Sequence, residues 1–206
     1  MALSNLVTFV SASLLLAITP GPGIMYVLTR SLAGGRRVGI LSSLGTFVGG
    51  FAHVIAAGLG ASAIFATSAV AYQGVRWMGA GYLVYLGVRM LRSSGEGSES
   101  VDSHVSKGNP FAQGVLTEIL NLKTALFFLS FIPQFVDPKM GEVFGQFLVL
   151  GTLTVILNSS IDILVAVFAG AIGQRLLGSP RARRNQQRTT GAMMIGLGIY
   201  VAAREA

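Results

Sequence analysis

Thr19-Pro20-Gly21-Pro22-Gly23 interrupts an apolar run that begins at Leu3 and resumes as Ile24-Met25-Tyr26-Val27-Leu28. Two prolines remove two backbone donors and crowd the preceding turn, while the glycines add freedom, so a continuous helix cannot pass through these five residues. The apolar sequence on either side predicts that the break lies inside a membrane. Irregular backbone at that depth survives only where protein buries it or where it lines a wet cavity. Thr19, Pro20, Gly21, Pro22 and Gly23 are therefore a first candidate binding site.

Composition agrees with a membrane setting. The 206 residues are 52% hydrophobic and 11% charged, with a mean hydropathy of +0.67, against about a quarter charged in soluble domains. Long apolar segments separated by short polar ones predict helices; strands of an outer-membrane barrel would alternate polarity over about ten residues. The absence of cysteine excludes a disulfide framework, a thiol redox couple and a cysteine metal site, and two distant histidines form no zinc-protease motif. Neither a metal nor a cofactor is called for. A net charge of +7 could suggest nucleic acid, but the basic residues flank apolar spans instead of gathering on a soluble face, which argues against nucleic-acid binding.

Outward from the break, six apolar spans are expected: 3–28 (interrupted), 39–66, 70–91, 111–136, 143–172 and 189–203. The last is short for ~30 Å of hydrocarbon. The first lacks a basic leader region and continues into Pro-Gly-Pro instead of a small-residue cleavage site, so it is read as a helix and not as a signal peptide. The connections after spans one, three and five hold most of the chain's 15 Lys and Arg, including Arg30, Arg36, Arg37, Arg92, Lys107 and Arg181 to Arg188, whereas those after spans two and four hold only Arg76 and Lys139. The positive-inside rule then puts the basic connections in the cytoplasm and both termini on the periplasmic side. The Arg181 to Arg188 cluster reads as an orientation signal beside anionic lipid.

Three spans on each side of a polar linker imply halves of opposite orientation. The expected architecture is an all-α membrane protein of six transmembrane helices built as two inverted three-helix repeats, in one domain over 1–206. Repeat one covers 1–92, a cytoplasmic linker 93–109, and repeat two 110–206. Gly45-Thr46-Phe47 in span two echoes Gly151-Thr152-Leu153 in span five. Inverted repeats commonly hold a transporter's substrate at their interface, near discontinuous helices.

Several residues could carry chemistry there. Gly21 suits an N-cap and Pro22 the first helical position, which would aim the amides of Gly23, Ile24 and Met25 into the gap. Such a half-helix start suits a carboxylate, and the carbonyls of Leu16 to Ile18 suit an ammonium, so one break can recognise both ends of an amino acid. A kink that merely shapes packing is the plainer alternative.

Glu118 and Asn121 share a helix face, and Lys123 joins them only if the helix bends. Ionisable groups at depth usually face a cavity or a partner, and a Glu118–Lys123 pair is the plainer alternative. Asn158 and Asp162, four apart, also share a face near mid-depth; Asp162 could exchange a proton during a transport cycle or form a static pair with Lys123. His53 reads first as a packing residue and second as a proton relay. Gly45-xxx-Gly49 and Ser42-xxx-Thr46-xxx-Gly50 let another helix approach closely and leave room for a homodimer. Tyr72, Trp77 and Tyr200 read as interfacial anchors.

TPGPGIMYVLTRSLAGGRRVGILSSLGTFVGG (19–50) and LTEILNLKTALFFLSFIPQFVDP (116–138) together resemble the LysE/RhtB family of bacterial amino-acid exporters, in its RhtB-like branch, over essentially the whole chain. The resemblance implies an inner-membrane, multi-pass exporter of amino acids or close derivatives such as homoserine, threonine or homoserine lactone, driven by proton entry and not an enzyme. Its partners would be the amino-acid substrate, protons and the lipid bilayer. Pro20, Gly21 and Pro22 match the family's first-helix motif, and Asn121 and Lys123 its Asn-Pro-Lys motif. Leu122 stands where that motif has proline, so the resemblance implies a fourth helix less sharply broken than in relatives. Asp162 resembles an acid of the family's fifth helix.

The resulting expectation is export by alternating access. Thr19 to Gly23, Asn121, Lys123 and Asn158 would bind substrate, and Asp162, Glu118 and His53 would couple protons. An ion or small-molecule channel is the alternative, and no nucleophile–base pair supports an enzyme.

Overall fold

The computed structural model describes residues 3–67, 69–93, 108–137, 140–177 and 180–203. Most of the 93–109 linker, with Lys107, lies outside the described residues, as do Lys139 and the side chains of Tyr72 and Tyr200; Trp77 is half-exposed. The described residues form helices and no strand: α1 (Leu3–Ile18), α2 (Pro22–Thr67), α3 (Ala69–Ser93), α4 (Pro110–Ile119), α5 (Leu122–Ser130), a 3-10 turn at Ile132–Phe135, α6 (Val143–Leu177) and α7 (Pro180–Ala203).

Pro22–Ala63 of α2 and Val143–Ala169 of α6 are long and apolar enough to cross a membrane, and α4 with the α5 segment becomes a third span if this pair, bent by 46°, is counted as one. Two or three of the six expected spans thus meet that test. The first break leaves α1 only a short apolar helix, and α3 and α7 carry arginines within their length.

Three boundaries differ from expectation. Where a basic loop is expected between 28 and 39, the chain stays helical, with Gly35 alone at φ 76°, ψ 179°, a conformation essentially confined to glycine. Arg36, next to that corner, donates from Nε to the carbonyl of Val167 (3.0 Å), beside a second departure from helical geometry at Phe168. The last helix begins at Pro180 and not at 189, because proline is pre-set for the first helical position. Arg181, Arg184 and Arg188 therefore ride on its opening turns instead of lying in a loop, and the 24 residues reach about 36 Å. The third difference, in the fourth span, forms part of the site.

Helix α2 organises the bundle, packing on both α4 and α6, while α3 pairs with α7. Close approach of α2 and α4 explains the glycine spacing. A Cβ at Gly45 would run into the Phe111 carbonyl oxygen, one at Gly49 would lie 2.6 Å from that of Val115, and one at Gly114 2.5 Å from that of Ser42. This backbone seam lies within one chain and works as small-residue packing does between membrane helices.

Two apolar clusters form among the described residues. The larger stacks Phe9 on Phe131 (ring centroids 6.0 Å apart) and Phe131 on Phe127 and Phe135 (4.8 Å each), with Phe128, Phe147, Val54 and Val155 also buried. The smaller joins Val27 and Leu28 to Val165, Ala166 and Ala169. Tyr26 donates from its hydroxyl to the Pro110 carbonyl (2.7 Å), and buried Arg30 donates from Nη2 to that of Gly108 (3.1 Å), tying the first part of α2 to the start of α4.

Candidate functional site at two facing helix breaks

At the first break α1 closes on Thr19, whose amide reaches the carbonyls of Leu15 (3.0 Å) and Leu16 (3.2 Å) and whose hydroxyl donates to Leu15 (2.6 Å). A continuous helix would next pair the Leu16 carbonyl with the amide of residue 20, and Pro20 has none. Gly21 caps α2 as the sequence suggests, its carbonyl accepting from the Met25 amide (3.0 Å), with Pro22 as first residue. That bond corrects one expectation: the Met25 amide is engaged within the helix and does not face the gap.

The second break forms without proline. Helix α4 ends at Ile119, Leu120 leaves helical geometry (φ −85°, ψ 3°), and extended Asn121 (φ −75°, ψ 95°) starts α5 by accepting from the Lys123 amide on Oδ1 (3.2 Å). An asparagine cap satisfies an open helix start as well as proline avoids one. The fourth span is thus sharply bent despite Leu122.

The two breaks face each other. The Lys123 ammonium, carried across by the bend, donates to the carbonyls of Leu16 (3.0 Å) and Thr19 (2.7 Å). Buried Glu118 accepts on Oε2 from Asn121 Nδ2 (2.9 Å) and on Oε1 from Thr124 Oγ1 (2.7 Å). Its Oε2 would be only 2.6 Å from a Cβ at Gly23, which sets the carboxylate against the first turn of α2. At Gly21 the atom met by such a Cβ is the Lys123 stem, at 3.0 Å. The carbonyl end of the first break thus holds a cation from the chain itself, and an acid held by Asn121 and Thr124 lies beside the first turn of α2.

Asp162, buried on α6, accepts on Oδ2 from Thr46 Oγ1 (2.8 Å). Neither static ion pair weighed from the sequence forms, since Lys123 reaches carbonyls and Asp162 a hydroxyl. His53 Nε2 lies 2.7 Å from the Glu118 carbonyl oxygen, so this nitrogen carries the proton and braces the end of α4. It meets the backbone of Glu118, not its carboxylate.

Gly23, Glu118, Asn121, Lys123, Asn158 and Asp162 line one cavity, with Thr46, Thr124 and Ser159 beside them and Phe47, Val155 and Ile24 as apolar wall. Thr19 and Gly21 join it through Lys123, Pro20 and Pro22 shape the break, and His53 stands behind it. The free space is about 20 Å³, room for about one water. Thr46 and Thr124, which hold the two acids, are the residues that sequence reasoning missed as part of the site. Thr46 read only as part of a packing stripe, and the partner of each is fixed by a crossing or a bend that spacing does not reveal.

Comparison with known proteins identifies the family. A family model described as "LysE type translocator" matches residues 14–205. The chain is 29% identical to an uncharacterized membrane protein of Vibrio cholerae over 96% of both chains. It is 30% identical to one of Pseudomonas aeruginosa over 95% of this chain and 93% of the relative. It is also 26% identical to a homoserine/homoserine lactone efflux protein of Salmonella typhimurium, over 95% and 94% of the two chains. No solved structure matches. With its apolar helices, its broken helices and a family match that covers nearly its whole length, the chain belongs to the LysE type translocator family of membrane transport proteins.

Proposed function

We propose that the protein is a secondary exporter of amino acids or close derivatives across the bacterial inner membrane, working by proton antiport and alternating access. The observation that carries this reading is the meeting of two helix breaks around one cavity lined by Glu118, Lys123 and Asp162. Buried charge at such a place is costly and usually belongs to a transport path. The relatives named for homoserine and homoserine lactone efflux support the substrate class. Those two compounds share an α-amine, whereas only homoserine has a carboxylate, so the carbonyls of Leu16 and Thr19 are the more general recognition element.

The architecture proposed for this cycle is six spans in two inverted repeats, 1–92 and 110–206, within one transporter domain with both termini periplasmic. Its supports are the correspondence of the α1/α2 and α4/α5 breaks and the packing of α2 on α6 and of α3 on α7. Asp162 carries the proton, and Glu118 and Asn158 complete the polar wall. One charge crossing ~100 mV supplies about 2.3 kcal/mol and each tenfold gradient costs about 1.4, so one proton sustains more than a tenfold gradient.

Counterflow in liposomes against labelled amino acids, L-homoserine and its lactone tests the reading. Uptake should saturate and be competed by unlabelled substrate of the same class. Linear, uncompeted flux would point to a channel instead.

A further inference from the structure

We propose that Lys123 acts as a tethered stand-in for the substrate's amine, and that an incoming amino acid expels the Lys123 ammonium from the Leu16 and Thr19 carbonyls. This rests on the exporter reading. Lys123 Nζ sits at 3.0 and 2.7 Å from those carbonyls, with its stem against Gly21, while the Glu118 carboxylate lies against Gly23 at the start of α2. The ammonium of an α-amino acid would offer the same charge to the same two carbonyls.

The cavity that remains, about 20 Å³, accepts a water but no amino acid. Something must leave, and the two charged groups are not equally free. Glu118 is fixed by Asn121 and Thr124 through both oxygens, whereas Lys123 is a long, rotatable stem bound only at its tip and, in its amide, by Asn121. Lys123 is therefore the group that moves. Its return lets the empty transporter close without leaving open carbonyls buried at membrane depth. Lys123 thus acts through competition for the site and as closure of the empty state, a role distinct from grasping the substrate's carboxylate.

The test measures L-homoserine binding to purified wild type, Lys123→Met and Lys123→Arg, together with net efflux from proteoliposomes. Lys123→Met should bind at least severalfold more tightly than wild type, because nothing has to be expelled, and should export at least tenfold more slowly. Lys123→Arg, still cationic, should bind more weakly than Lys123→Met. Loss of binding in folded Lys123→Met would overturn the proposal while wild-type binding leaves the exporter reading standing. Absence of any binding and transport by wild type would overturn both. Labelling of the wild-type Lys123 amine, read by mass spectrometry, needs no variant. L-homoserine should accelerate it, and slowed or unchanged labelling in the presence of saturable binding contradicts expulsion.

Discussion

Replacing Asp162 with Asn should abolish proton-driven efflux while the protein still folds. Asp162 is buried and accepts a hydrogen bond from Thr46 at 2.8 Å. Asparagine keeps an oxygen for that hydroxyl and nearly the same volume, so packing survives, but it cannot carry a proton through the cycle. At ~100 mV the lost coupling is worth about 2.3 kcal/mol, roughly a fiftyfold loss in the gradient that efflux can build. The comparison is efflux from proteoliposomes with and without an imposed proton gradient, beside thermal unfolding in detergent. Efflux that still responds fully to the gradient would remove Asp162 from the mechanism.

Replacing both Pro20 and Pro22 with Ala should weaken L-homoserine binding by tenfold or more. Alanine at 20 restores an amide able to take the Leu16 carbonyl, and alanine at 22 does the same for Ile18, so the helix can close over the break. A hydrogen bond to a charged group is worth about 1.5–3 kcal/mol, enough for tenfold or more in affinity when one carbonyl is withdrawn. Equilibrium binding to the purified double variant measures the loss. Affinity equal to wild type would move the substrate away from this break.

The first break was readable because its cause is local: two prolines and two glycines stop a helix whatever surrounds them. The second was harder to read, since Leu122 replaces the proline the family resemblance implied, and the bend depends on Asn121 capping α5. Spacing put Asn158 on the face of Asp162, as neighbours four apart in one helix must be, and put Glu118 beside Asn121, which it meets across the break. It could not choose the partner of Lys123, because acids and free carbonyls both suit an ammonium and only the crossing of α1 with the bent span decides between them. Gly35 was hidden for a related reason. A glycine among arginines reads as a loop, but the helix resumes at once beyond its positive φ.

Proton entry and L-homoserine release recorded in the same vesicles test the central claim most directly. Proteoliposomes carry labelled L-homoserine and a pH-sensitive dye inside, and the outside is made acidic. Coupled export predicts that the lumen acidifies in step with release, that both saturate together, and that both fail in the Asp162→Asn variant. Release that proceeds with no accompanying proton movement and ignores the gradient would contradict it.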